Sequence, residues 1–224
     1  MADERWERYG AATGIVFVIL GVIAYVIAGP PPIADAPRTD VVAHYVDGGD
    51  SLVVSGYLWG LSGLFYFWFL GSLRSYLRRA EGDAGRLSAV AFGAGIAGGV
   101  VFTMGTLISV ALASDIAGAA SGETTVALHE VATHASTYST FAFVVLAAAT
   151  SVVSGRYRAL PAWLGWLGWL VALLALVGSG SVFAETGPFA AGGALSVLGL
   201  AVFFLWFLAL GVVLTQRAGR PVNR

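Results

Sequence analysis

The sequence predicts an all-α fold: a polytopic bundle of six transmembrane helices forming one domain over residues 1–224. Three observations predict it. The chain is 58% hydrophobic and only 11% charged, with a mean hydropathy of +0.81, whereas soluble domains carry about 25% charged residues. Six apolar runs have membrane length, since a hydrocarbon core of about 30 Å needs about 20 residues at 1.5 Å each. These runs are 10–28, 52–73, 87–113, 135–153, 163–184 and 189–214, and none contains Asp, Glu, Lys, Arg or His. Finally, the arginines segregate. Arg5, Arg8, Arg74, Arg78, Arg79, Arg86, Arg156, Arg158, Arg217, Arg220 and Arg224 fall at one set of span ends, and Arg38 alone at the other. By the positive-inside rule both termini are expected in the cytoplasm, and the protein in a bacterial cytoplasmic membrane.

The same composition excludes several chemistries. With no cysteine there are no thiol nucleophiles, disulfides or iron–sulfur clusters. With no lysine there is no Schiff base. A net charge of −1 gives no long-range pull on nucleic acid. Without a P-loop, and with short inner loops, no nucleotide partner is expected. The spans carry no ionisable residue for proton coupling, no histidine pair for a buried haem and no histidine base for an intramembrane protease.

Taken in order, span 1 follows the leader MADERWERYG, which carries three acids against two arginines. Together with its length, that reads as a retained anchor rather than a signal peptide. The loop GPPPIADAPRTDVVAHYVDGGD starts stiff and Pro-rich. Thr39 is the expected N-cap of a short helix over 40–46 on the outer membrane surface, ended by Gly48 and Gly49. The loop RSYLRRAEGDAGR sets topology and suits anionic headgroups. Gly10/Gly14, Gly56/Gly60 and Gly95/Gly99 are G-x-x-x-G pairs that let helix backbones approach, within the chain or in a homo-oligomer. Trp163, Trp166 and Trp169 follow Pro161 as an interfacial belt.

Span 4 has the strongest site character. Thr124 or Thr125 can cap a helix running to about Ser154, longer than the bilayer needs. Seven of the eight residues from Thr133 to Thr140 are polar. His129 and His134 stand about 140° apart around the helix and do not grip one ion easily. Glu130 and His134, at i and i+4, share a face that Tyr138 continues; the plain reading is a helix-stabilising pair. The candidate metal ligands are therefore His134, Glu130 and His129, which would need help from His44, Asp115 or Glu185 on other outer loops; a divalent ion is the only cofactor considered. Thr103, Thr106, Ser109, Ser136, Thr137, Tyr138 and Thr140 all fall toward the outer leaflet. They either line an outward-facing ligand pocket or satisfy backbone carbonyls of their own helices.

The residues GPPPIADAP, the D-x-x-x-x-x-G stretch from Asp50 to Gly56, LRRAEGDAGRLSAVAFG and ALPAWLGWLGWL together resemble a group of actinobacterial six-helix membrane proteins of unknown function. The resemblance runs along nearly the whole chain and implies an integral inner-membrane bundle; it implies no activity. The functional expectation is a non-enzymatic membrane protein that binds a small apolar or amphipathic ligand, or serves as a subunit of a larger complex, with lipids as its surroundings. The alternatives are a metal-binding protein or metal-dependent hydrolase at the outer face, and a passive channel.

Because the chain lacks cysteine, single cysteines report topology directly. In intact cells a membrane-impermeant maleimide should label a Thr39→Cys variant, and should label Ala84→Cys only after lysis. The reverse pattern inverts the orientation.

Overall fold

The computed structural model describes residues 2–33, 35–82, 85–184 and 186–218, and the side chains of all of these except 2–4 and 115. Among the described residues the fold is all helical. Six helices are long and apolar enough to cross a membrane: α1 (Ala2–Ala28), α3 (Gly49–Glu81), α4 (Arg86–Ala111), α6 (Gly122–Tyr157), α7 (Ala162–Ser179) and α8 (Ala194–Arg217). Two short helices, α2 (Arg38–Asp47) and α5 (Ala117–Ala119), lie between them. A π-helical turn, Leu112–Ile116, continues α4, and a 3-10 turn, Gly180–Phe183, continues α7.

The long helices form a closed ring in chain order: α1 on α3, α3 on α4, α4 on α6, α6 on α7, α7 on α8, and α8 back on α1. The ring is flattened, so that α3 also touches α6 and α8 across it. Aromatic rings fill the middle. Phe17 packs edge-on against Phe207 at 5.2 Å, Tyr66 stacks on Phe207 at 5.5 Å, and Phe203 lies 4.6 Å from Phe207. Such pairs add about 0.5–1.5 kcal/mol each beyond area burial.

In an apolar medium polar side chains must find partners within the chain. On α3, Ser55 donates to the Ala24 carbonyl at 2.8 Å and Ser62 to the Phe17 carbonyl at 3.0 Å, tying α3 to α1. Tyr66 donates to the Gly95 carbonyl of α4 at 2.9 Å. Tyr76 donates to the Ala159 carbonyl at 2.7 Å, and Arg217 of α8 donates to the same oxygen at 3.0 Å. Helix ends are tied too. The Glu81 carboxylate accepts the amides of Leu87 and Ser88 at 2.8 and 2.9 Å and so caps α4. Burial alone would raise the Glu81 pKa, but these amide donors hold its carboxyl below the usual range.

Several boundaries differ from the sequence expectation. The helix after the first span starts at Arg38 with Pro37 as N-cap, not at Thr39, whose hydroxyl turns toward Asp40. Only Gly48 separates it from α3, so Gly49 opens the next helix rather than closing this one. The N-cap of α6 is Ser121, which accepts the Thr124 amide; Thr125 points back to the Ser121 carbonyl instead. The last long helix starts at Ala194, not 189, because Gly187 and Gly192 adopt φ of +80° and +79° and keep the preceding residues in turns. Gly93, Gly95 and Gly98 have G-x-G-x-x-G spacing. They lie inside α4, however, rather than at a strand-to-helix turn, so the dinucleotide-binding context is missing.

Of the G-x-x-x-G pairs, Gly10/Gly14 and Gly95/Gly99 face α3 within the bundle, and Gly56 faces Val110 of α4. Gly60 faces open space. At the α6–α7–α8 seam, Thr150, Ser151, Ser154 and the Trp206 indole are buried without hydrogen-bond partners. Ser151 and Ser154 press instead on the backbone at Gly168 and Gly165. Each unpaired group costs about 1–3 kcal/mol, against which this seam gains close backbone approach.

A β-carbon at Gly105 would come 2.8 Å from the Ala132 carbonyl, a backbone atom that cannot swing aside. Gly105→Val should therefore destabilise the α4–α6 packing by about 1–3 kcal/mol, read as a lowered unfolding temperature in detergent. Gly60→Ala is the control and should leave the transition unchanged.

Candidate functional site

The two ends of the bundle differ in chemistry. At the α2 end, α2 lies against α6 and buries Val41 and Tyr45, which join Leu52, Leu112 and Ala117 in a small apolar cluster. Within it the Tyr45 hydroxyl lies 2.8 Å from Nδ1 of His129, and both residues are buried. The Pro32 carbonyl lies near the His129 ring, and the Ser109 hydroxyl of α4 lies near that of Tyr45. A hydroxyl can donate to the bare ring nitrogen of a neutral imidazole, and the nearby Pro32 carbonyl favours the proton on the other nitrogen. The His44 ring packs edge-on against Tyr45 at 5.1 Å.

Helix α6 has 36 residues and is about 54 Å long. The sequence assigns only 135–153 of it to the hydrocarbon, so His129 stands in the projecting turns. Burial lowers the His129 pKa, His44 lowers it further, and the Pro32 carbonyl opposes both. Burial also lowers the pKa of His44 and raises that of Tyr45. The site is built to hold neutral imidazoles.

The other candidate ligands do not join this pair. Glu130 and His134 are exposed on the opposite side of α6, and the His134 Nδ1 lies 2.8 Å from the Glu130 carbonyl. Among the described residues no three of His, Asp and Glu converge. The Asp115 side chain and Glu185 lie outside the described residues. The sequence did place His129 and His134 on different faces; what it could not reveal was Tyr45 as the partner, because the meeting of α2 and α6 is a tertiary event.

The hydroxyls expected toward the outer leaflet mostly turn to their own helices. Thr103 donates to Gly99 at 2.8 Å, Thr106 to Phe102 at 3.2 Å, Ser136 to Ala132 at 3.2 Å and Thr140 to Thr137 at 2.6 Å. Thr137 reaches Ser181 at 3.4 Å, and Tyr138 is exposed.

A cleft of about 560 Å³ lies at the other, Arg-rich end. Ala11, Phe67, Phe92 and Leu214 form its apolar wall, and Ser72, Ser75, Tyr76 and Arg79 a polar edge. Trp6 and Trp68 flank it, and Arg79 is paired with Glu7 of α1. Sequence reasoning missed this cleft: its residues come from four helices, and only the aromatic run at 65–69 beside a basic loop hinted at it.

The class that the fold defines is a polytopic helical bundle of membrane-spanning type. No family model, no curated protein and no solved structure matches the chain.

The Tyr45–His129 bond sets a pH dependence. Both His44 and His129 have lowered folded-state pKa values, so the folded form resists protonation that the unfolded chain accepts near pH 6.5. Stability should be full above about pH 6.5 and fall as the pH drops below it. Melting curves from pH 7.5 to 5.5 should show this decline, and a His44→Gln/His129→Gln variant should flatten it. Tyr45→Phe leaves a buried acceptor unpaired and should cost about 1–3 kcal/mol at neutral pH.

Proposed function

We propose that the chain is a non-enzymatic, multi-pass protein of a bacterial cytoplasmic membrane that binds an amphipathic ligand. One observation carries the reading: the cleft at the Arg-rich end combines an apolar wall with a polar, arginine-bearing edge. Its volume of about 560 Å³ falls within the roughly 300–1,000 Å³ range of small-molecule sites. The arrangement suits an acyl chain along Phe67 and Leu214 and a headgroup at Ser72, Ser75 and Arg79. Glu7 occupies the guanidinium, as an acidic headgroup would on replacing it. The site stands at the opposite end from the outward pocket that the sequence suggested, where hydroxyls serve their own helices. The ring-filled centre, with Tyr66, Phe203 and Phe207, favours this reading over a passive water-filled path.

The test uses the full chain in lipid nanodiscs with lysophosphatidylglycerol as probe, read by native mass spectrometry. Gly71 lines the cleft, and a β-carbon there meets nothing within 4 Å. Gly71→Trp should therefore fold while filling the cleft, and should weaken retention of the probe about tenfold or more, some 1.4 kcal/mol. Gly60→Trp, on open surface elsewhere on α3, should retain it. Equal retention by both variants, or none by the parent chain, removes the proposal.

A further inference from the structure

The outward face of α6 carries titratable groups that the bundle does not use. Glu130, His134 and Tyr138 stand on it at i, i+4 and i+8, all exposed. Successive members lie about 40° apart around a helix and about 6 Å apart along it. Val131, Phe141 and Val145 are exposed on the same side, at 52%, 45% and 43%, so an apolar stripe runs past the polar pair. Glu130 and His134 both stand just ahead of the 135–153 hydrocarbon stretch, in the projecting turns of α6, where a carboxylate and an imidazole are open to water and to a dissolved cation.

The His134 ring is already oriented for a task. Its Nδ1 lies 2.8 Å from the Glu130 carbonyl oxygen. That oxygen can only accept, so Nδ1 carries the proton and Nε2 keeps the lone pair. A metal-binding histidine has this arrangement, one ring nitrogen donated to a carbonyl and the other free. His129 differs: Tyr45 occupies its Nδ1 and the Pro32 carbonyl lies near its ring.

One chain offers two ligands on this face, Glu130 and His134, and among the described residues no third histidine or carboxylate joins them. Protein zinc sites hold the ion with three or four side chains. A second copy inserted in the same membrane has the same orientation, so a two-fold axis along the membrane normal brings two α6 faces together in parallel. An ion on that axis meets two Glu130 carboxylates at one level and two His134 imidazoles about one turn away. Two nitrogens and two oxygens make a tetrahedral set suited to zinc-class ions. The apolar stripe supplies the helix–helix contact beside the ion.

We propose that this chain forms a metal-bridged homodimer through the outward face of α6, with Glu130 and His134 of each copy binding one zinc-class divalent cation. The proposal goes beyond the amphiphile cleft, which lies at the other end of the bundle, and is independent of it.

The test is native mass spectrometry and light scattering of the full, tag-free chain in detergent, with Zn²⁺ added. Zinc should raise the dimer fraction, with one ion per two chains. His134→Ala should abolish both effects, and Glu130→Gln should weaken zinc-dependent dimerisation about tenfold or more. Both side chains are exposed, so each variant should melt at the parent temperature without zinc, which separates loss of the site from loss of the fold. One zinc per monomer, a zinc-induced dimer that survives His134→Ala, a dimer indifferent to zinc, or no dimer at all would each overturn the proposal.

Discussion

Hydroxyls on α3 hold the bundle together. Ser55, Ser62, Tyr66 and Tyr76 each donate to a backbone carbonyl on a neighbour: twice to α1, once to α4 and once to the turn between α6 and α7. A helical carbonyl already accepts one amide and still has a second lone pair. These bonds therefore cross between helices without breaking either one. In lipid, where apolar surface alone does not drive helices together, such donors and close packing take over that role. The aromatic filling of the ring, the seat of Arg217 on Ala159 and the walls of the Arg-rich cleft all depend on where α3 stands.

Much of the fold is legible from the sequence for a simple reason. Hydrocarbon requires long uncharged runs, and a run such as 10–28 has no other stable form there. Boundaries are less legible where apolar composition continues past the helix. Residues 189–193 are as apolar as a span, yet glycines with positive φ hold them in turns. Thr39 and Thr125 have the right chemistry for caps, but Pro37 and Ser121 take those positions, because the chain's path into each helix decides which residue stands at the end.

The site is legible only in part. Helical geometry alone separates His129 from His134, and the structure places one in the core and the other on the surface. It does not say that α2 folds back to set Tyr45 against His129, nor that Ser136 and Thr140 would choose their own carbonyls. A hydroxyl near a helix surface has two good options, its own turn or a neighbour's backbone, and they differ by less than a sequence can resolve. Ser62 takes the second and Thr140 the first. The two ends consequently differ: the α2 end is sealed around the Tyr45–His129 pair, and the Arg-rich end carries an open cleft.

The closure of the ring bears on how the protein is made. Most helices meet both neighbours soon after leaving the ribosome, since adjacency follows chain order. Helix α1 does not, because its second neighbour is α8, the last of the described helices to emerge. Until then α1 and α7 each show the bilayer a face meant for protein, at Phe17, which packs on Phe204 and Phe207 of α8, and at Gly168, which lies beside Trp206. The half-built ring is a membrane protein with two exposed seams, and only the arrival of α8 turns a row of helices into a barrel-like whole. Assembly factors that shelter nascent spans have their longest task here, and truncation ahead of α8 leaves an open arc rather than a smaller bundle.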